Sequence, residues 1–174
     1  MKQNFIFGII ALTIFILIIS CSQKVEIPKE PIEFDIYYSF GVHEDNILDT
    51  KNNIYAKDMV CEPPKEYILK LNESDKAAIY NAIMENDLLN IKDDFTESCY
   101  KDGGCVQSEP PYNATLKIFI NGKTKTIKWR TEYNIIHLDD PELEKLMNVR
   151  NAIENIISQK EKEMNIEQPK CFYF

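Results

Sequence analysis

Asn113-Ala-Thr-Leu-Lys-Ile-Phe-Ile120, then Asn121-Gly122, then Thr124-Lys-Thr-Ile-Lys-Trp-Arg130 decide how this chain folds. In the first run Leu116, Ile118 and Ile120 recur at every second position and face inward, which is the period of a half-buried strand. Asn-Gly between two such runs is the strongest short hairpin signal, because both residues accept the left-handed backbone of a tight turn. The return strand then points Ile127 and Trp129 the same way as Leu116. An antiparallel hairpin with one apolar face needs a layer to cover that face.

Two helices supply the layer. Downstream, Asp140 caps and Pro141 opens a helix, the favoured order for those residue types. Leu143, Leu146, Met147, Ile153, Ile156 and Ile157 form its stripe, and the polar run from Ser158 to Gln168 ends it gradually. Upstream, Asn72 or Ser74 caps a shorter helix that carries Ala78, Ile79, Ala82 and Ile83 and finishes near Asn86. Before that helix come three further strands. Phe34, Ile36, Tyr38 and Phe40 alternate on one side of the first, Asn53 to Val60 reads as a weaker second, and Tyr67, Leu69 and Leu71 align in a third. Val42 to Asn53 is polar and reads as a loop, and Pro63-Pro64 separates the second and third strands. The expectation is an α+β two-layer sandwich, a mainly antiparallel sheet of about five strands with two helices on one face. Residues 87–112 are long, polar and irregular, with two glycines and Pro110-Pro111, and are a place for function.

The chain opens on Met1-Lys-Gln-Asn-Phe5, and fifteen uncharged, mostly apolar residues run from Phe5 to Ile19. One positive charge, a short apolar core and then small Ser20 make a secretory signal peptide. The run is shorter than the roughly 20 residues of a spanning helix. Ile18-Ile19-Ser20-Cys21 resembles the lipobox of bacterial lipoproteins. That resemblance implies cleavage before Cys21, diacylation of its thiol and a membrane attachment through it; acyl chains contribute roughly 0.8 kcal/mol per buried CH2. An uncleaved anchor with an incidental cysteine is the alternative. In the lipoprotein family an Asp after the cysteine retains the protein at the inner membrane of many Gram-negative cells. Here Ser22 follows, which favours the outer membrane if the cell has one. Gln23-Lys24 and Glu26 faintly resemble surface-export signals, though Val25 departs from the acidic pattern. The layout is also similar to that of small uncharacterised envelope lipoproteins.

The expected organisation is therefore a signal peptide over 1–20, a lipidated cysteine and tether over 21–32, and one α+β domain over 33–174. Ten tether residues reach at most about 35 Å. Without residues 1–20 and their single charge on Lys2, 154 of the 174 residues remain and the net charge goes from −8 to −9. An acidic chain without a basic cluster is a poor nucleic-acid binder. Export makes disulfides the default for Cys61, Cys99, Cys105 and Cys171, with three possible pairings. Gly103 and Gly104 let Cys99 and Cys105 close easily, which leaves Cys61 with Cys171. Free thiols are one alternative; a zinc site is another, but its ligand pairs would be two to four residues apart, and these are not.

Nothing in the sequence calls for a cofactor or a metal. There is no G-x-S-x-G elbow, and His43 and His137, the two histidines, lie in no ligand spacing such as H-E-x-x-H. Asp139 and Asp140 have a structural role at a helix start, and Asp93-Asp94 lacks calcium-loop spacing. Trp129, Tyr112 and Tyr133 either stack on a sugar or peptide or belong to the core. Phe174 resembles the terminal aromatic of outer-membrane barrels, but the helices exclude a barrel. The leading expectation is a non-enzymatic envelope module that binds a protein or peptide through the exposed sheet face or the 87–112 loop. An envelope hydrolase or metal-dependent enzyme using His43, His137 and nearby carboxylates is the second reading, and a structural spacer the third.

Overall fold

A computed structural model of the chain describes residues 33–173. The leader, Cys21, the tether to residue 32 and Phe174 lie outside the described residues.

The hairpin lies toward one edge of the sheet. Its strands are β6 (Tyr112–Ile120) and β7 (Lys123–Arg130), and Asn121 and Gly122 turn between them with φ of 48° and 74°. The other strands are β1 (Phe34–Val42), β2 (Asn46–Asp49), β3 (Ile54–Lys57), β4 (Lys65–Ile68) and β5 (Asp94–Phe95). They form one seven-stranded sheet in the order β4-β3-β2-β1-β6-β7-β5. Every neighbouring pair is antiparallel except β5 with β7. The helices are α1 (Glu73–Glu85), α2 (Thr131–Ile136) and α3 (Pro141–Glu163).

The α+β class is as expected, but the detail is richer: among the described residues seven strands and three helices replace about five and two. The three additions are short. Within the stretch read as a loop, β2 forms because Leu48 completes a row of directly opposed side chains. That row runs Tyr67, Tyr55, Leu48, Tyr38, Leu116, Ile127 across six strands. Leu48 is fully buried there, worth roughly 2 kcal/mol, which a four-residue strand could not obtain alone. Likewise β5 exists only to place Phe95 beside Trp129. Helix α2 occupies the segment read as a loop before Asp140 and buries Glu132 and Tyr133.

Both long helices begin as their sequences dictate. Asn72 Oδ1 accepts from the Asp75 N–H at 2.8 Å and Asp75 Oδ2 accepts from the Asn72 N–H at 3.1 Å, a reciprocal capping box. Asp140 Oδ1 accepts from the Glu142 N–H at 2.9 Å, with Pro141 next. Rather than fraying from Ser158, α3 continues to Glu163, with Lys160 and Lys162 in its last turn complementing the dipole. Lys160 also reaches Asp75 of α1 at 3.1 Å. Ile79 and Ile83 of α1 and Leu146, Val149, Ile153 and Ile157 of α3 share one core with Ile36, Tyr38, Leu116, Ile118, Ile127 and Trp129. Trp129, 2% exposed, is thus a core residue.

Two disulfides tie the periphery. Cys61 and Cys171 bond at 2.02 Å across 110 residues, and Cys99 and Cys105 at 2.10 Å across six. The first fastens the β3–β4 connection to the chain after α3, where Tyr173 OH also donates to Asp58 Oδ2 at 2.8 Å. No helix among the described residues is long and apolar enough to cross a membrane.

The β1–β2 turn is the tightest backbone site. Gly41 has φ +98°, and a Cβ there would lie 2.8 Å from Asn46 Nδ2. Asn46 cannot easily yield: it donates to Phe40 O at 3.3 Å and accepts from the Asp58 N–H at 3.1 Å. Gly41→Ala should therefore cost about 1–3 kcal/mol, read as a lowered denaturant midpoint; an unchanged midpoint would show that the turn relaxes freely.

Candidate functional site

Helix α3 carries Arg150, Glu154, Ile157 and Glu161 at positions i, i+4, i+7 and i+11, one face of the helix. That face looks onto the β1–β3 half of the sheet. There, Tyr38 OH donates to Glu154 Oε1 at 2.8 Å and Arg150 Nε donates to the same oxygen at 2.8 Å. Two turns on, Tyr55 OH and Lys57 Nζ both donate to Glu161 Oε1, the lysine at 2.6 Å. Each carboxylate is thus anchored by one tyrosine and one cation. Among the described residues neither Oε2 has a hydrogen-bond donor, and the two side chains keep 27% and 15% of their surface exposed.

These groups line an open cleft of about 330 Å³, within the usual range of small-ligand sites. Phe40, Tyr55 and Tyr112 form its aromatic walls, with Asn46 and Ser158 as further polar groups. Phe40 is one end of a three-ring stack: it lies on Tyr38 at 4.7 Å, and Tyr38 lies on Trp129 at 5.8 Å. The stack fixes the Phe40 ring before any ligand arrives. Arg150 sits 5.9 Å from the Tyr112 ring.

Burial keeps the phenols of this arrangement protonated. Burial, then the nearby Glu154 carboxylate, pushes the Tyr38 hydroxyl far above its usual range; burial and the hydrogen bond to Glu161 do the same for Tyr55. Burial and Glu154 raise Tyr112 to about 12. None of these phenols is an acid or base near neutral pH. Tyr38 and Tyr55 are positioned donors.

The histidines named from the sequence fall elsewhere. His43 is exposed in the β1–β2 turn with φ 61°. His137 ends α2, its ring 4.3 Å from that of Tyr133 and its Nε2 3.8 Å from Glu97 Oε2. It lines a second cleft, of about 370 Å³, with Tyr100, Lys101, Asp102, Ile136 and Asp139; His43 is not part of that lining. Asp140 caps α3 and accepts from Lys92 Nζ at 2.7 Å and Tyr133 OH at 2.7 Å. Burial raises its carboxyl, but these donors and the Glu142 N–H outweigh that and hold it at about 2. The same bonds raise Lys92 against the effect of burial, the reverse of what an amine nucleophile needs. Asp93 pairs with Lys125, and Asp94 Oδ1 accepts from the Thr96 N–H at 2.7 Å. Among the described residues no three His, Cys, Asp or Glu side chains gather as a metal would require.

Sequence reading singled out Tyr112 but missed Glu154, Glu161, Tyr55 and Lys57. The one available sign was a polar face at helical spacing beside the apolar stripe of α3, which reads equally as a solvated surface. No protein-family model matches this chain, and a search of curated proteins finds none similar to it, so the chemistry of the cleft rests on its own residues.

Proposed function

We propose that this protein is a lipid-anchored binding module of the bacterial cell envelope, attached to the membrane through Cys21, and that it engages its partner in the cleft between α3 and β1–β3. The observation that carries the binding role is the pair of carboxylates, each held at Oε1 and, among the described residues, without a donor at Oε2, in a cleft also lined by Phe40, Tyr55 and Tyr112. Such a site is preorganised for recognition. It contains no activated nucleophile and no histidine base. The attachment rests on Ile18-Ile19-Ser20-Cys21 and the apolar leader before it.

Labelled palmitate fed to the producing cells should enter the wild-type protein and not Cys21→Ser, and the variant should leave the membrane fraction or keep its leader. Equal label in both would end the lipoprotein reading. For the module itself, crosslinking in intact envelopes should recover one reproducible adduct that Ser158→Tyr abolishes. Ser158 is exposed on α3 and lines the cleft, so the larger side chain fills the space without entering the core. An adduct indifferent to Ser158→Tyr would place the contact elsewhere.

A further inference from the structure

The charges around the cleft limit what fits in it. Glu161 is paired with Lys57 in the lining and Glu154 with Arg150 just behind it, so the charges nearly cancel only when Arg150 is counted with them. An anionic ligand would meet two carboxylates, and a cationic one would have to displace or approach two resident cations. Neither gains a net field. A neutral ligand meets no such opposition, and what the site lacks is donors: two Oε2 atoms are without one among the described residues. Carboxylate acceptors make hydrogen bonds about twice as strong as neutral ones, so a ligand bearing several hydroxyl groups gains most there.

Geometry narrows the class further. Glu154 and Glu161 are seven residues apart, about 10 Å along the helix axis, with Ser158 between them. A ligand that satisfies both must be elongated and carry donors at each end. Phe40 and Tyr112 both line this space, and Phe40 is stacked on Tyr38. Aromatic rings held in this way suit a ligand with an apolar C–H face and a polar rim. A pyranose has both.

Resting on the module reading above, we propose that the cleft binds a short uncharged oligosaccharide, about two sugar rings long, whose hydroxyls donate to Glu154 Oε2 and Glu161 Oε2 while one ring lies against Phe40 or Tyr112. Lys57 and Arg150 act as positioning residues: each holds a carboxylate at Oε1 and leaves the other oxygen for the sugar. Ser158 and Asn46 supply further hydroxyl and amide contacts at the rim.

The test uses the full lipoprotein in a polyoxyethylene detergent, since glycoside detergents would themselves be ligands. Chitotriose, cellotriose and maltotriose are titrated by calorimetry, with spermidine and a tri-lysine peptide as cationic comparisons. At least one trisaccharide should bind, with Kd between about 10 μM and 1 mM. Ser158→Tyr and Glu161→Gln should each weaken it tenfold or more, and denaturant unfolding should show Ser158→Tyr to be as stable as the parent. No heat from any trisaccharide at 10 mM would overturn the proposal. So would sugar binding that survives Ser158→Tyr, or tighter binding of either cation at the cleft. If the sugars fail while the envelope adduct is still lost in Ser158→Tyr, the ligand class is wrong and the binding module stands. If both fail, the cleft is not the site.

Discussion

Replacing Cys61 and Cys171 together by serine should lower the unfolding free energy by about 4–5 kcal/mol in the chain-entropy account, because the bridge closes a loop of 110 residues. Over a chain this size that is a fall of about 10–20 °C in melting temperature. The Cys99–Cys105 bridge closes only six residues, and its removal should cost roughly 2 kcal/mol by the same relation. The contrast is the useful measurement, since both bridges are chemically alike and differ in the loop they close. Around Cys61 and Cys171 the ion pairs Lys65–Glu167 at 2.7 Å and Lys170–Glu62 at 3.2 Å are largely exposed and worth little. They cannot hold the chain after α3 in place once the covalent link is gone. Equal denaturant midpoints for the two double variants would show that loop length is not what the longer bridge contributes.

Glu132→Ala should be the most damaging single substitution among the charged residues, costing about 3 kcal/mol at neutral pH. Glu132 is fully buried. Its carboxylate accepts from Arg130 Nη2 at 2.9 Å, the Ser108 N–H at 2.9 Å and Ser108 Oγ at 2.7 Å. Burial alone would raise this carboxyl, but the Arg130 and Ser108 donors outweigh it and hold it at about 2. Removing the carboxylate leaves the half-buried Ser108 amide without a partner and Arg130 without its counter-charge. Arg130 keeps 28% of its side chain exposed and can turn partly to water, which sets the cost at the low end for buried pairs.

The pH dependence follows from the depressed pKa. A carboxylate held below its unfolded value stabilises fully above about pH 4.5, and that contribution is lost as pH falls toward 2. Asp140, also held at about 2, adds to the loss in the same window. Wild type should therefore lose stability steeply between pH 4.5 and 2, and the gap between wild type and Glu132→Ala should narrow over that range. Urea titrations at pH 7 and pH 2.5 read this directly. A gap of the same size at both pH values would mean that packing, not charge, is what Glu132 supplies.

The elements legible in the sequence are those whose signals are local. Asn121-Gly122 fixed the hairpin, and alternation placed Leu116 and Ile127 on one face. Asn72 or Ser74 as a cap and Asp140 with Pro141 marked where both long helices begin, and the structure chose Asn72. What escaped notice was β2, β5 and α2, each held by contacts from elsewhere: Leu48 by Tyr38 and Tyr55, Phe95 by Trp129, and Glu132 by Ser108. Four residues, two residues and six are too few to carry a periodicity.

The candidate site divides the same way. By itself the sequence determined an α+β class and a cysteine set able to form two bridges. Each of these depends on residues near one another or on composition. Only the tertiary structure decided that Tyr38 reaches Glu154 across 116 residues and Tyr55 reaches Glu161 across 106. It also decided that His43 is not in the lining of the cleft that holds His137. Such meetings depend on which strands lie under α3 and in what register, and register is set by burial of the whole sheet face at once. No local pattern encodes it.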